Sequence, residues 1–437
     1  MSAQGKPKAK GREIPAWYKW ELLLLLSLAF FFHQADRAIF GILLVPISES
    51  LGLSSEQMGL TGTILFATLA LMMPIAGYVG DRFSKKWVIT VCILFWSLAT
   101  ALTGLATGLL GLIFFRSIAT AGGESFYAPS AYPMLAAYHH KTRSTAMSVH
   151  QAALYIGVMS SGFLAASIAE WLGWRGAFMI FGGAGILLGL IFVFRLRAMP
   201  EEPRDSATVR KDSAESRREP GGRVNLWHAV ATIVKTPTFW FVTAGFTAIV
   251  FVNNAYLVWA PTFVQDKFHV STMVAGGGAM FYHHIAAFVG ILIGGRVTDS
   301  LVTRRANGRL MIQAVAMLLG VPALFALGHA SSLTLVWVTM AIFGFLRGLY
   351  ETNTHASLFD VIKPRYRSTA VALMTMIAFW FGSVSPLLMG RFRTIYGQAD
   401  GLAYGFRLFS FSWLVGGILI VLAILFTFKR DRIVEEE

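Results

Sequence analysis

Four ionisable side chains sit where a lipid-embedded helix would carry hydrocarbon. Asp36 and Arg37 lie about midway along the first long apolar stretch, and Arg116 and Glu124 lie in the fourth. A charge at the bilayer centre costs at least ~2.5–3.5 kcal/mol on insertion scales, so each needs a partner or a purpose. Two acids and two bases on two helices neutralise one another most economically by pairing across the helices, around a wet central cavity. Protonating one carboxylate then frees a base to hold an anion. His33 stands four residues before Arg37 and shares its helical face.

Other polar groups carry weaker signals. The equivalent span of the second half holds Arg347, Glu351, Asn353 and His355. Arg347 and Glu351 are four apart and can pair on one helix, and both a substrate-lining and a packing role stay open. Asn253, Asn254 and Tyr256 in the seventh span are hydrogen-bond donors for a polyhydroxylated solute, or interhelical glue. Gln151 in the fifth span is a further cavity candidate. His283 and His284 have no acid or cysteine at ligand spacing, so cavity lining or packing is expected and no metal. The glycine clusters at 182–185 and 276–278 suit helix–helix contacts. No G-x-x-x-x-G-K-[ST] occurs, which argues against transport driven by ATP in this polypeptide alone, and no cofactor is expected.

The elements that hold these groups are membrane spans. Hydrophobic residues make up 55% of 437 positions and charged residues 14%, too little charge to cover a soluble surface of this size. Apolar runs near the ~20 residues needed to cross a bilayer recur throughout. Twelve helices are expected, near 20–47, 58–79, 88–108, 111–137, 145–171, 175–196, 237–263, 273–301, 309–328, 333–361, 368–390 and 404–428. The first apolar run is too long for a cleaved signal and is read as a span. Cys92 is the sole cysteine, so no intrachain disulfide forms.

The net charge of +14 would suggest nucleic acid in a soluble chain, but the cations alternate along the connections. Lys6, Lys8, Lys10 and Arg12 precede the first span; Arg82, Lys85 and Lys86 follow the second, and Lys141 and Arg143 the fourth. Arg195, Arg197, Arg204 and Arg210 follow the sixth, Arg304, Arg305 and Arg309 the eighth, Lys363, Arg365 and Arg367 the tenth, and Lys429, Arg430 and Arg432 the twelfth. This positive-inside pattern places both termini in the cytoplasm, in a multi-pass protein of the cell inner or plasma membrane, with Arg391 and Arg393 the exceptions facing outward. Residues 199–235 are polar and read as a linker, dividing an N-terminal six-helix bundle (1–198) from a C-terminal one (236–437).

The halves also repeat. Gly77-Tyr78-Val79-Gly80-Asp81 and Arg143-Ser144-Thr145-Ala146 recur as Gly295-Arg296-Val297-Thr298-Asp299 and Arg367-Ser368-Thr369-Ala370, at intervals of 299 − 81 = 218 and 367 − 143 = 224 residues. Internal duplication in a membrane protein points to a secondary transporter that rocks one half against the other.

The loop Gly77-Tyr78-Val79-Gly80-Asp81-Arg82-Phe83-Ser84-Lys85-Lys86 resembles the G-x-L-A-D-R-x-G-R-[RK] signature of the major facilitator superfamily, with Val79 for the usual Leu and Ser84 for the usual Gly. The resemblance covers nearly the whole chain. It implies an all-α fold of twelve transmembrane helices in two pseudo-symmetric six-helix bundles. It also implies a gate made by Gly77, Asp81, Arg82, Lys85 and Lys86 with Arg143, Asp299 and Arg367. In the family the acidic residue meets the start of a helix in the opposite half, where the dipole favours it.

Asp-Arg in the first span and Arg followed by Glu in the fourth resemble two branches: the anion:cation symporters of sugar acids and organic anions, and the spinster-like transporters. The resemblance implies proton coupling by Asp36 and Glu124 and an anionic substrate at Arg37. Those families place the Arg and Glu seven apart, whereas Arg116 and Glu124 are eight apart. Either a bulge at Gly122-Gly123 absorbs the extra residue or the pairing differs. Proton-coupled symport of a sugar acid or other small carboxylate by a monomer is the leading expectation. The alternative is a spinster-like carrier of lysolipid or another amphiphile. A membrane-embedded enzyme is disfavoured, since no nucleophile–base constellation stands out, and a transport-dead sensor would share the same sequence features.

Overall fold

The computed structural model describes residue 15 and residues 17–139, 142–198 and 226–433. Lys6, Lys8, Lys10, Arg12, Lys141, Arg204, Arg210 and most of the expected linker lie outside the described residues. Its described end, Leu226–Val234, is helical.

Among the described residues, ten helices are long and apolar enough to cross a membrane. The first three are Tyr18–Ile42, Ser55–Arg82 and Lys85–Thr103. One continuous element, Arg143–Arg195, has 53 residues, about twice the length one crossing needs. Gly173, at φ 69°, folds it into the fifth and sixth spans. That left-handed φ suits a residue with no Cβ. The fourth span is built of short pieces between Leu109 and Tyr138, which is why it is not counted among the ten. The ten helices therefore supply eleven crossings, and the segmented fourth span makes the twelfth.

The second half runs Pro237–Phe268, Thr272–Val302 and Gly308–His329, then Leu333–Glu351 with Thr354–Phe359 as the tenth span. Arg367–Gly382 with Ser385–Tyr396 form the eleventh, and a helix beginning at Gln398 the twelfth. The eleventh breaks just ahead of Pro386, which occupies the first turn of its second piece. Pro261 sits inside an unbroken helix.

The first six spans pack mainly on one another, as do the last six; the second span meets the eleventh, and the fifth meets the eighth. These inter-half crossings are very close. A Cβ on Gly41 would lie 2.1 Å from the Leu257 carbonyl oxygen, one on Gly162 2.5 Å from that of Gly276, and one on Gly390 2.3 Å from that of Ser55. All three sit toward the end away from the basic loops. The two halves are thus joined at one end of the molecule.

Candidate functional site: a charged centre between two halves

The fourth span positions its charges through an irregular backbone. Leu112–Ala119 is a π-helix, with the Thr120 N–H and hydroxyl both donating to the Phe115 carbonyl, the hydroxyl at 2.8 Å. On an ideal α-helix eight residues would turn Glu124 about 80° away from Arg116. The wider π turn absorbs the extra residue, so the bulge lies at Arg116 itself and not at Gly122-Gly123. Thr120–Glu124 resumes the α-helix, Ser125 and Phe126 interrupt it, and Tyr127–Tyr138 completes the span. Glu124 is therefore the last residue before a break. Gly123 lets this piece lie against the third span: a Cβ there would meet Phe95 at 2.8 Å and Trp96 at 3.0 Å.

The four charges pair across the two spans. Arg116 donates to Asp36 Oδ1 at 3.2 Å and to the Asp36 carbonyl at 2.5 Å, while the Thr100 hydroxyl donates to Oδ2 at 2.7 Å. The Phe178 ring lies 5.8 Å from the Arg116 guanidinium. With side chains 0% and 5% exposed, this pair is enclosed within the first half. The other pair differs. Arg37 Nε donates to Glu124 Oε2 at 2.7 Å, and Arg37 keeps 18% of its side chain exposed while Glu124 keeps 1%. Glu124 Oε1 is buried with no hydrogen-bond partner. His33 Nε2 lies 3.3 Å from the Glu124 carbonyl, and its other ring nitrogen 2.9 Å from Gln34.

The second half carries a smaller set. Arg347 donates twice to Glu351 Oε1, at 2.9 and 2.7 Å, and its Nη1 lies 3.0 Å from His283 Nε2. Glu351, 24% exposed, also accepts from the Tyr155 hydroxyl of the first half at 3.3 Å. Asn253 is half-buried and Asn254 buried, its Nδ2 without a partner.

Three expected site residues are occupied elsewhere. The Tyr256 hydroxyl donates to the Ala279 carbonyl at 2.7 Å, and Tyr256 is fully buried. Asn353 donates to Thr298 at 2.9 Å and is buried. Gln151 is exposed and accepts from Tyr132 at 3.3 Å. His284 bonds to the Met280 carbonyl, and among the described residues no three His, Cys, Asp or Glu side chains gather as a metal site would require. Thr100, Tyr155 and His283 in its Arg347 contact escaped the sequence reading. Each is an ordinary residue whose partner is at least 64 positions away, so no spacing marks it.

Among the described residues, the gate loop makes hydrogen bonds within its own half. Lys85 donates to the Gly80 carbonyl at 2.9 Å, Arg82 to Tyr78 at 3.0 Å, and Gly80 packs on Pro129, all within the first half. Gly77 has open space where a Cβ would be. Lys86 lies in the first turn of the third span and Asp299 in the last turn of the eighth, and Arg143 and Arg367 open the fifth and eleventh spans, Arg367 donating to the Phe359 carbonyl at 3.2 Å. Of Asp81 the backbone alone is described, in the last turn of the second span. Two ion pairs at this basic end each lie within one half: Arg195 with Glu21, and Arg309 with Asp360 at 2.5 Å. Burial pushes the Asp360 carboxyl up from its ordinary value.

The far end is latched instead. Arg393 donates to both Asp266 oxygens at 2.9 and 3.2 Å and, across the halves, to the Ser55 hydroxyl at 2.7 Å. Leu387 N–H donates to Thr63 at 3.2 Å, also across the halves. Of the two cations that break the charge alternation, Arg393 is thus neutralised by Asp266.

Two helical bundles closed at one end, with buried ion pairs near mid-depth, define a secondary transporter of the alternating-access kind. A family model described as Major Facilitator Superfamily matches residues 26–386, and the chain belongs to that superfamily. This is a family of transporters, not enzymes. Within it the similarity runs to the spinster-like branch: the protein spinster homolog 1 of Xenopus laevis is 26% identical over 445 residues, covering 95% of this chain and 82% of that protein. An MFS-type efflux pump of Mycolicibacterium smegmatis is 26% identical, covering 85% of this chain and 83% of its own length. Among solved structures, a bacterial homologue of the human lysosomal transporter Spinster, inward-facing and unoccupied, superposes at TM-score 0.80 with 22% identity, covering 96% and 99% of the two chains. A D-xylose-proton symporter superposes at 0.72 with 15% identity, covering 95% and 98%. Of the two branches that the first and fourth spans resemble, these comparisons support the spinster-like one.

Proposed function

We propose that the protein carries an amphiphile with an anionic headgroup, such as a lysolipid, together with protons. The similarity to spinster proteins over 95% of the chain supports this class. The observation that carries the mechanism is the Arg37–Glu124 contact at 2.7 Å, in which the base is partly open and the acid is enclosed with one free oxygen. While Glu124 is charged it occupies the guanidinium. A proton on Oε1 removes that charge, and Arg37 then receives the headgroup. Asp36 and Arg116, enclosed beside it, hold the first and fourth spans in register and form the second proton-coupling pair. Glu351, Asn253 and Asn254 face the substrate from the other half. Units 1–198 and 236–437, joined by 199–235, rock about this centre in a monomer. The positive-inside pattern puts the basic end in the cytoplasm, so the closed Arg393 end faces outward and the gap inward.

A sugar acid or other small organic anion would meet the same guanidinium, and chain length separates the two substrates. Counterflow in proteoliposomes should be supported by lysophospholipids and lost in Arg37→Ala. Counterflow supported by sugar acids and not by lysolipids would overturn the amphiphile reading. Unchanged lysolipid counterflow in Arg37→Ala would overturn the role of Arg37.

A further inference from the structure

A groove of ≈620 Å³ runs down the lipid-facing side of the first half, between the second, third and fourth spans. Val79 and Phe83 form one wall, Trp87 and Phe95 a second, and Phe114 a third, over a floor of Gly122 and Gly123. Phe83, Trp87, Phe95 and Phe114 are all more than half exposed, so aromatic edges rise on both sides of a trough. The trough is deep because its floor lacks side chains: nothing lies within 4 Å of a Cβ placed on Gly122. This lining is apolar throughout and does not include Arg37, Glu124 or any other member of the charged centre.

The two ends of the groove differ in charge. At the basic end Phe83 and Trp87 are interleaved with Arg82, exposed, and with Lys85 and Lys86, half-exposed. Two of these cations stand beside aromatic rings, Lys86 by the lining residue Trp87 and Arg82 by Tyr78, the chain neighbour of the lining residue Val79. Lys86 Nζ stands 5.1 Å from the Trp87 ring, and the Arg82 guanidinium 5.9 Å from the Tyr78 ring. The three cations outnumber the neighbouring Asp81. Basic groups beside a cleft between spans bind anionic lipid headgroups, and the apolar cleft takes the chain.

We infer that this groove binds one anionic phospholipid of the surrounding leaflet, an acyl chain lying over Gly122 and the phosphate against Arg82 and Lys86. The complementarity of a cationic mouth and an aromatic trough selects this occupant over a zwitterionic one. The site is distinct from the transport path and does not depend on the substrate proposed above. It is well placed to influence transport, because its floor belongs to Thr120–Glu124, the five-residue piece that ends in the Glu124 carboxylate.

The test is native mass spectrometry of the full chain, released from nanodiscs containing equal amounts of phosphatidylglycerol and phosphatidylcholine. The wild type should retain one phosphatidylglycerol in preference. Lys86→Gln and Arg82→Gln should each lower that preference about fivefold. Gly122→Leu, whose side chain enters empty space, should abolish retention of either lipid. Arg304→Gln, at the basic end of the eighth span, should leave the preference intact. Equal retention of the two lipids by the wild type, or unchanged retention in both Gly122→Leu and Lys86→Gln, would overturn the inference. Phosphatidylcholine bound with a Gly122-dependent but Lys86-independent signal would overturn the anionic assignment.

Discussion

Glu124 and Glu351 occupy matching places in the two halves. Each ends a helix that a two-residue interruption separates from the rest of its span, at Ser125–Phe126 and at Thr352–Asn353. Their bases differ in origin. Glu124 draws on Arg37 from the first span, whereas Glu351 draws on Arg347 four residues earlier on its own helix. The seventh span supplies no base: at 253 − 36 = 217 and 254 − 37 = 217 residues beyond Asp36 and Arg37 stand the amides Asn253 and Asn254. A pair between helices couples charge to helix packing. A pair within one helix does not. The first half is thus built so that a proton can change how its spans grip one another; in the second half the ion pair itself closes within one helix, and only neutral groups, Tyr155 and His283, reach it from other spans.

The largest effect should come from breaking the enclosed pair. Arg116→Ala leaves Asp36 with an uncompensated buried charge and should cost ~3–5 kcal/mol of stability, read as a sharp fall in the thermal midpoint of the purified protein. Asp36→Asn together with Arg116→Ala should recover much of that loss. Equal damage in single and double variants would show that the pair is not what holds the spans. Glu351→Gln should be milder, about 1 kcal/mol, since its carboxylate keeps solvent contact and Arg347 retains His283. A thermal loss as large as that of Arg116→Ala would erase the contrast between the halves.

The smallest effect belongs to the latch. Ser55→Ala removes one bond across the halves at their closed end while Arg393 keeps Asp266, and should cost under ~1 kcal/mol. Spin-label distances across that end should gain a longer population, while a distribution identical to wild type would mean that the glycine-lined crossings alone keep it shut.

Much of this was legible in the sequence. Composition and the alternation of cations gave the spans. Two repeated landmarks predict two halves, and charges amid hydrocarbon mark groups that need partners, which Asp36, Arg37, Arg116 and Glu124 find in one another. Other features depend on contacts remote in sequence. The π turn at Leu112–Ala119 leaves no residue signature beyond the eight-residue spacing, which signalled a distortion without saying where. Asp36 lies within the first half because Thr100 and Phe178 close over it, and neither is marked by spacing. Tyr256 and Asn353 spend their donors on Ala279 and Thr298, neighbours a periodic pattern cannot reveal. Arg393 looked misplaced until Asp266, 127 residues earlier, was found against it.

The release of Arg37 by protonation of Glu124 is tested most directly in Glu124→Gln proteoliposomes, comparing substrate exchange with accumulation driven by a pH gradient. The amide cannot carry the proton and leaves the guanidinium without its anion. Exchange should persist, and gradient-driven accumulation should vanish. Accumulation at the wild-type level would contradict the account.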